Sequence, residues 1–235
     1  MDSRAPLILL FPSPPTEVAQ KLGADARVQL TSGRIAANSG FGILHHGIAL
    51  TLTIGGAHDL AGYKQIFCNI DAGSIGSSVA IALGDHVQGG GKVAAIVREL
   101  LGAGKLIGEI CRASAIVWQP AKTVSGFEYL AQALGEYANG GAFPVIALIN
   151  FQSDSSGEIH STGLSWLSGQ ELSVVPSSLS ESEAMRRVVR VAHDIAVNGP
   201  VSSDVDLEGI ETGETVELRP VDDIVTLQIV SDSTQ

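Results

Sequence analysis

The order of apolar and polar positions divides the chain into short strands and helices. Residues 6–11 form an unbroken apolar run of strand length, closed by Pro12-Ser13-Pro14-Pro15. Thr16 then opens a short helical pattern through Val18, Ala19 and Leu22 to Gly23. Over residues 43–54 the period is two, with Ile48, Leu50, Leu52 and Ile54 on one face and Ala49, Thr51 and Thr53 on the other. That alternation predicts one strand, bounded by Gly55-Gly56. The pattern then weakens: residues 65–70 read as a short strand and 75–83 as a helix, with glycines at 73, 76 and 84 against both. From Lys92 a helical face returns in Val93, Ile96, Val97, Leu100 and Leu101, and Gly102 and Gly104 are expected to end it.

Residues 115–118 read as a strand stopped by Pro120. Ser125 and Glu128 have the spacing of a capping box, in which side chain and backbone satisfy each other at a helix start, and Phe127, Leu130, Ala131, Leu134 and Tyr137 continue on one face. Residues 143–151 are almost wholly apolar, as in a strand covered on both sides. Residues 159–175 read as extended, interrupted near Ser168-Gly169. A second capping box, Ser180 with Glu183, precedes a stripe of Met185, Val188, Val189, Ala192, Ile195 and Ala196 that Asn198-Gly199-Pro200 stops. Glu183 with Arg187, and Arg190 with Asp194, are spaced as ion pairs on its outward side. Residues 215–218 and 224–230 close the chain as strands. Helices and strands mix without strict alternation, which predicts an α+β fold with helices packed on a mixed, mostly antiparallel sheet. The expected organisation is a single domain over 1–235, with 55–91 a glycine-rich insertion or loop region and internal duplication left open by the length.

Composition supports a large core: of 235 residues, 45% are hydrophobic and 17% charged, and mean hydropathy is +0.26. A net charge of −11 sets a repulsive field against nucleic acid. No run approaches the ~18 apolar residues of a membrane span, and the first residues lack a basic region and cleavage site, so neither membrane nor export is expected. Cys68 and Cys111 form no CxxC pair, which fits a reducing, cytoplasmic setting.

Four segments carry a family resemblance: Ala115-Ile116-Val117-Trp118-Gln119-Pro120-Ala121; the apolar run from Phe143 through Asn150-Phe151; Ser161-Thr162-Gly163-Leu164 with Gly169-Gln170-Glu171-Leu172; and Asn198-Gly199-Pro200-Val201. Their order resembles the bacterial domain of unknown function 4261 family over the C-terminal half. Thr162-Gly163-Leu164 leading to Gly169-x-Glu171 is its most specific part. The stretch from Gly55 to Gly91 and the turn at residues 204–213 depart from that pattern. The resemblance implies a fold and supplies no reaction, cofactor or catalytic residue.

Candidate chemistry is sparse. His45, His58, Asp71, Asp85 and His86 are the residues from which a metal site would be drawn, because imidazole and carboxylate suit zinc or iron. A regular strand would turn His45 and His46 to opposite faces, leaving at most one for such a site. Gly89-Gly90-Gly91-Lys92 invites a phosphate-loop reading, but Val93 stands where a magnesium-binding hydroxyl is needed. No Gly-x-Ser-x-Gly elbow is present, and both cysteines lie among apolar neighbours. His193 reads as a boundary residue of the last long helix. The remaining binding candidates are Trp118, His160, Thr162 and Glu171, where a small ligand or peptide would dock. No motif implies a cofactor. The leading expectation is a non-catalytic module for a protein partner or self-association; the alternative is a hydrolase or metal-dependent enzyme using the 45–86 residues.

Overall fold

The computed structural model describes residues 5–15, 17–31 and 40–231. Their strands divide between two sheets. The first contains β1 (Leu7–Phe11), β2 (Gln29–Thr31), β3 (Gly40–His45), β4 (Ile48–Gly55), β5 (Lys64–Ile66), β6 (Ser77–Leu83), β7 (Ala115–Trp118) and β8 (Thr123–Gly126), ordered β2-β3-β4-β6-β1-β7-β8-β5. Every neighbouring pair is antiparallel except β5 with β8. The second contains β9 (Asn150–Ser153), β10 (Ile159–Thr162), β11 (Glu171–Val174), β12 (Val205–Glu208), β13 (Glu214–Val221) and β14 (Ile224–Ser231), ordered β12-β13-β14-β11-β10-β9. Only β11 and β14 pair in parallel there. The helices are α1 (Val18–Gly23), α2 (Ala94–Cys111), α3 (Phe127–Ala138), α4 (Val145–Leu148), α5 (Leu164–Ser168) and α6 (Glu181–Asn198). The fold is α+β, with mostly antiparallel pairing. Thr16, the expected opening of α1, lies outside the described residues.

Both faces of the central strands β6, β1 and β7 are covered. On β1, Leu7, Leu9 and Phe11 point into the main core with Leu100, Leu101 and Ile107 of α2, while Ile8 and Leu10 point into a second cluster. That second cluster is closed by Leu60 and Ile75, with Tyr63 and Ile70 packed at its border. The glycine-rich segment expected as a loop is therefore a cover for the sheet. It also supplies β6, buried at every position between β4 and β1. The helix expected over 75–83 is this strand. A short apolar run carries no periodicity that separates helix from strand, and β-branched Val79 and Ile81 suit the sheet.

Other differences have local causes. The single strand expected over 43–54 is a hairpin, because His46 and Gly47 both adopt left-handed backbone (φ 44° and 85°) between β3 and β4. Two such residues make the turn whose twist matches that of the flanking strands. Helix α2 continues through Gly102 and Gly104, which were expected to stop it. In it glycine serves close packing: a Cβ at Gly104 would lie 2.1 Å from Leu7 Cδ2, and one at Gly108 would lie 2.0 Å from the Phe127 ring. Instead of a strand over 143–151 there is the single turn α4, capped by Pro144, and β9 begins only at Asn150. The Thr123 hydroxyl donates to the Ala147 carbonyl at 2.6 Å and ties that turn to β8. Ser125 belongs to β8 opposite Ile116 and caps nothing; Gly126 precedes α3.

Helix α6 begins as its sequence indicates, with the Ser180 hydroxyl accepting from the Glu183 amide and the Glu183 carboxylate accepting from the Ser180 amide. Its Arg187, however, faces inward. Arg187 and Glu214 of β13 form a side-chain ion pair, each 3% exposed, and Arg187 Nη1 donates to the Glu183 carbonyl at 2.9 Å. Arg190 donates to the Gly209 carbonyl. The chain's need to satisfy a buried carboxylate on β13 overrides the helical spacing that placed Arg187 at the surface.

Candidate functional site

The Thr162–Glu171 segment is built around one carboxylate. After β10 the chain turns at Gly163 (φ 98°) into α5 and leaves it at Gly169 (φ 92°) to start β11. Three amides at the start of α5 lack helical partners. Glu171 reaches back and accepts from the amides of Gly163 (2.8 Å), Leu164 (3.2 Å) and Ser165 (3.0 Å) and from the hydroxyls of Ser161 (2.5 Å) and Ser165 (2.7 Å). A carboxylate at a helix start satisfies these orphan donors and meets the positive end of the helix dipole. Gly163 is required twice over, since a Cβ there would also lie 2.9 Å from backbone atoms of Ala121.

This construction separates the four binding candidates. Glu171 is occupied by α5. Trp118 is 1% exposed and meets Trp166 of α5 edge-on, with ring centroids 4.9 Å apart. His160 and Thr162 lie on the opposite, exposed face of β10, where His160 Nε2 is 3.5 Å from Asp154. Among the described residues the four therefore do not converge: Trp118 and Glu171 meet α5, while His160 and Thr162 face outward from β10.

What does open beside α5 is a cleft of about 460 Å³ lined by Gln88, Gly89, Gly91, Lys92, Pro120, Gly163, Ser165 and Trp166. It joins the two stretches that the sequence singles out separately. The Gly89-Gly90-Gly91-Lys92 run ends a 3₁₀ segment (Asp85–Lys92) ahead of α2. A Cβ at Gly91 would lie 3.0 Å from the Trp166 indole, a closer approach than packed side chains usually make. Lys92 is exposed and sits against the end of α5, with Nζ 2.9 Å from where a Cβ on Gly169 would be. Among the described residues it has no carboxylate partner. The cleft thus combines a half-buried indole, open glycine backbone and a cation, with no acidic residue in its lining among the described residues.

The histidines are arranged differently from the expected set. The hairpin turn brings His45 and His46 to the same side, their rings stacked 4.1 Å apart, over Glu99 of α2. His58 packs edge-on to Tyr63, Asp71 accepts from the Gly73 amide in its own turn, and Asp85 and His86 begin the 3₁₀ segment. Among the described residues, none of these four joins a group of three ligand atoms close enough to share an ion. Sequence reasoning missed Glu99 because it reads as an ordinary surface position of α2; the His46-Gly47 pair between alternating segments was the available turn signal.

Both thiols are free, and burial pushes Cys68 and Cys111 above the ordinary thiol range, which disfavours the nucleophilic thiolate. Among the described residues no helix is long and apolar enough to cross a membrane. No family model, curated protein or solved structure matches the chain.

Proposed function

We propose that this protein is a non-catalytic binding module whose cleft between Lys92 and Trp166 holds an acidic segment of a protein partner. The charge of the cleft carries the reading. Among the described residues Lys92 is the one charged residue in its lining, in a chain whose net charge is −11. A carboxylate entering beside Lys92 meets a cation without a competing internal acid, while an adjacent aromatic or aliphatic side chain covers the Trp166 indole. Glu171, beside the cleft, is committed to holding α5, and burial pushes both thiols above the ordinary thiol range.

Selection of displayed random peptides on the immobilised full-length protein tests the reading. Recovered peptides are expected to place Asp or Glu next to an aromatic or aliphatic residue. Lys92→Glu and Trp166→Ala should each abolish their capture, with the unfolding midpoint of the Lys92→Glu protein unchanged. Peptides captured equally by both variants would exclude this cleft as the recognition site.

A further inference from the structure

We propose that His45, His46 and Glu99 form a binding site for a divalent transition-metal ion of the zinc class. The site lies at the tip of the β3–β4 hairpin, where it rests on α2. His45 Nε2 is 3.7 Å and His46 Nδ1 2.7 Å from the same Glu99 oxygen, Oε2, and one donor atom from each residue lies within 4.8 Å of the others. Zinc bonds of roughly 2.0–2.2 Å place neighbouring ligands of a tetrahedral ion about 3.3 Å apart, between the two separations seen. A tetrahedral set needs the His46–Glu99 separation to lengthen by about 0.6 Å and the His45–Glu99 separation to shorten by about 0.4 Å, movements open to His46, exposed at the hairpin turn, and to the Glu99 side chain on α2. Two imidazoles and one carboxylate suit zinc and its first-row neighbours and leave a fourth position to water.

The surroundings prepare the donors. His45 is 4% exposed and held by β3, so its imidazole is already ordered. The hydrogen bond between His46 and Glu99 puts a proton where the ion would sit; binding replaces that proton. A second group, Asp154, Glu158 and His160, also satisfies the distance requirement. There one oxygen of each carboxylate is already engaged, Asp154 Oδ1 by the Ser156 amide and hydroxyl and the Glu158 amide, and Glu158 Oε1 by the Ser173 hydroxyl, and all three residues stand near the surface.

The test uses the full chain stripped of metal by a chelator and titrated with Zn²⁺, then separately with Co²⁺. One equivalent of Zn²⁺ should bind with a Kd tighter than about 100 μM, and Co²⁺ should give the intense visible absorption of a four- or five-coordinate ion. Glu99→Gln and His46→Asn, the latter tolerated at a left-handed turn position, should each weaken Zn²⁺ binding at least about tenfold. His160→Asn should leave it unchanged. A wild-type Kd weaker than about 100 μM overturns the proposal. So does Zn²⁺ binding that survives both Glu99→Gln and His46→Asn, or that is lost with His160→Asn.

Discussion

The long helices on the two sheets both bury apolar stripes in the main core and differ in the contact added to it. On the first sheet, α2 meets β1 and α3 through Gly104 and Gly108, whose missing side chains let Leu7 and the Phe127 ring approach the helix backbone. On the second, α6 is fastened to β13 by the enclosed Arg187–Glu214 pair. Shape complementarity is insensitive to pH and intolerant of added volume. A buried ion pair, by contrast, responds to pH through its carboxylate. The contrast teaches that one apolar core can be continuous between two sheets while its two ends respond to different perturbations.

Breaking the ion pair should have the largest effect. Arg187→Ala leaves the Glu214 carboxylate enclosed without a cation and should cost about 3–5 kcal/mol by urea unfolding. The same pair gives the second sheet a pH response. Hydrogen bonds from Arg187 hold Glu214 below its ordinary value of 4.5. A carboxyl depressed on folding adds stability above its unfolded pKa, and that contribution is lost as pH falls through the folded value. Stability measured downward from pH 5 should therefore fall less steeply in Glu214→Gln than in the wild type; equal slopes would refute this role of Glu214.

The covering of β1 on both faces is tested next. Leu9→Ala and Leu10→Ala empty opposite sides of β1 and should each cost about 2–5 kcal/mol. In the second sheet the neighbours Leu227 and Gln228 should differ, since Leu227 is buried and Gln228 exposed: Leu227→Ala should fall in the same range and Gln228→Ala within about 0.5 kcal/mol of wild type. A small loss at Leu10 would mean that the glycine-rich cover is not a stable part of the fold. Gly108→Ala, which drives a methyl group into the Phe127 ring, should cost about 1–3 kcal/mol. The smallest effect is at the start of α6, where Ser180→Ala should cost about 1 kcal/mol through the lost cap.

Much of this fold was legible where a pattern is local. Residues 7–11, 115–118 and the closing strands, together with the Ser180 box and its apolar stripe, follow directly from period and capping chemistry. Reading failed where long-range contact decided the outcome. Glycines in α2 looked like stops because their sequence context does not reveal Leu7 and Phe127 waiting across the interface. The Ser125 and Ser180 boxes have the same spacing, yet only the second caps a helix, since Ser125 is drawn into β8 by pairing with Ile116. The site shows the same division: glycines at 89–91, Lys92, and the Thr162–Glu171 run were all visible as unusual. That they face one another across a cleft was not, and Trp166 lacked any signal that would distinguish it from a core aromatic.

The sequence by itself determined the α+β class, the amphipathic stripes and the capped start of α6, because these depend on residues within a few positions of one another. Only the tertiary structure decided that 75–83 is a central strand, that His45 and His46 stand together over Glu99, that Arg187 turns inward, and that Glu171 is tied to α5. In each case the deciding partner lies far along the chain or across a turn. An ambiguous apolar run, a histidine pair or a charged side chain takes its role from the neighbour that satisfies it.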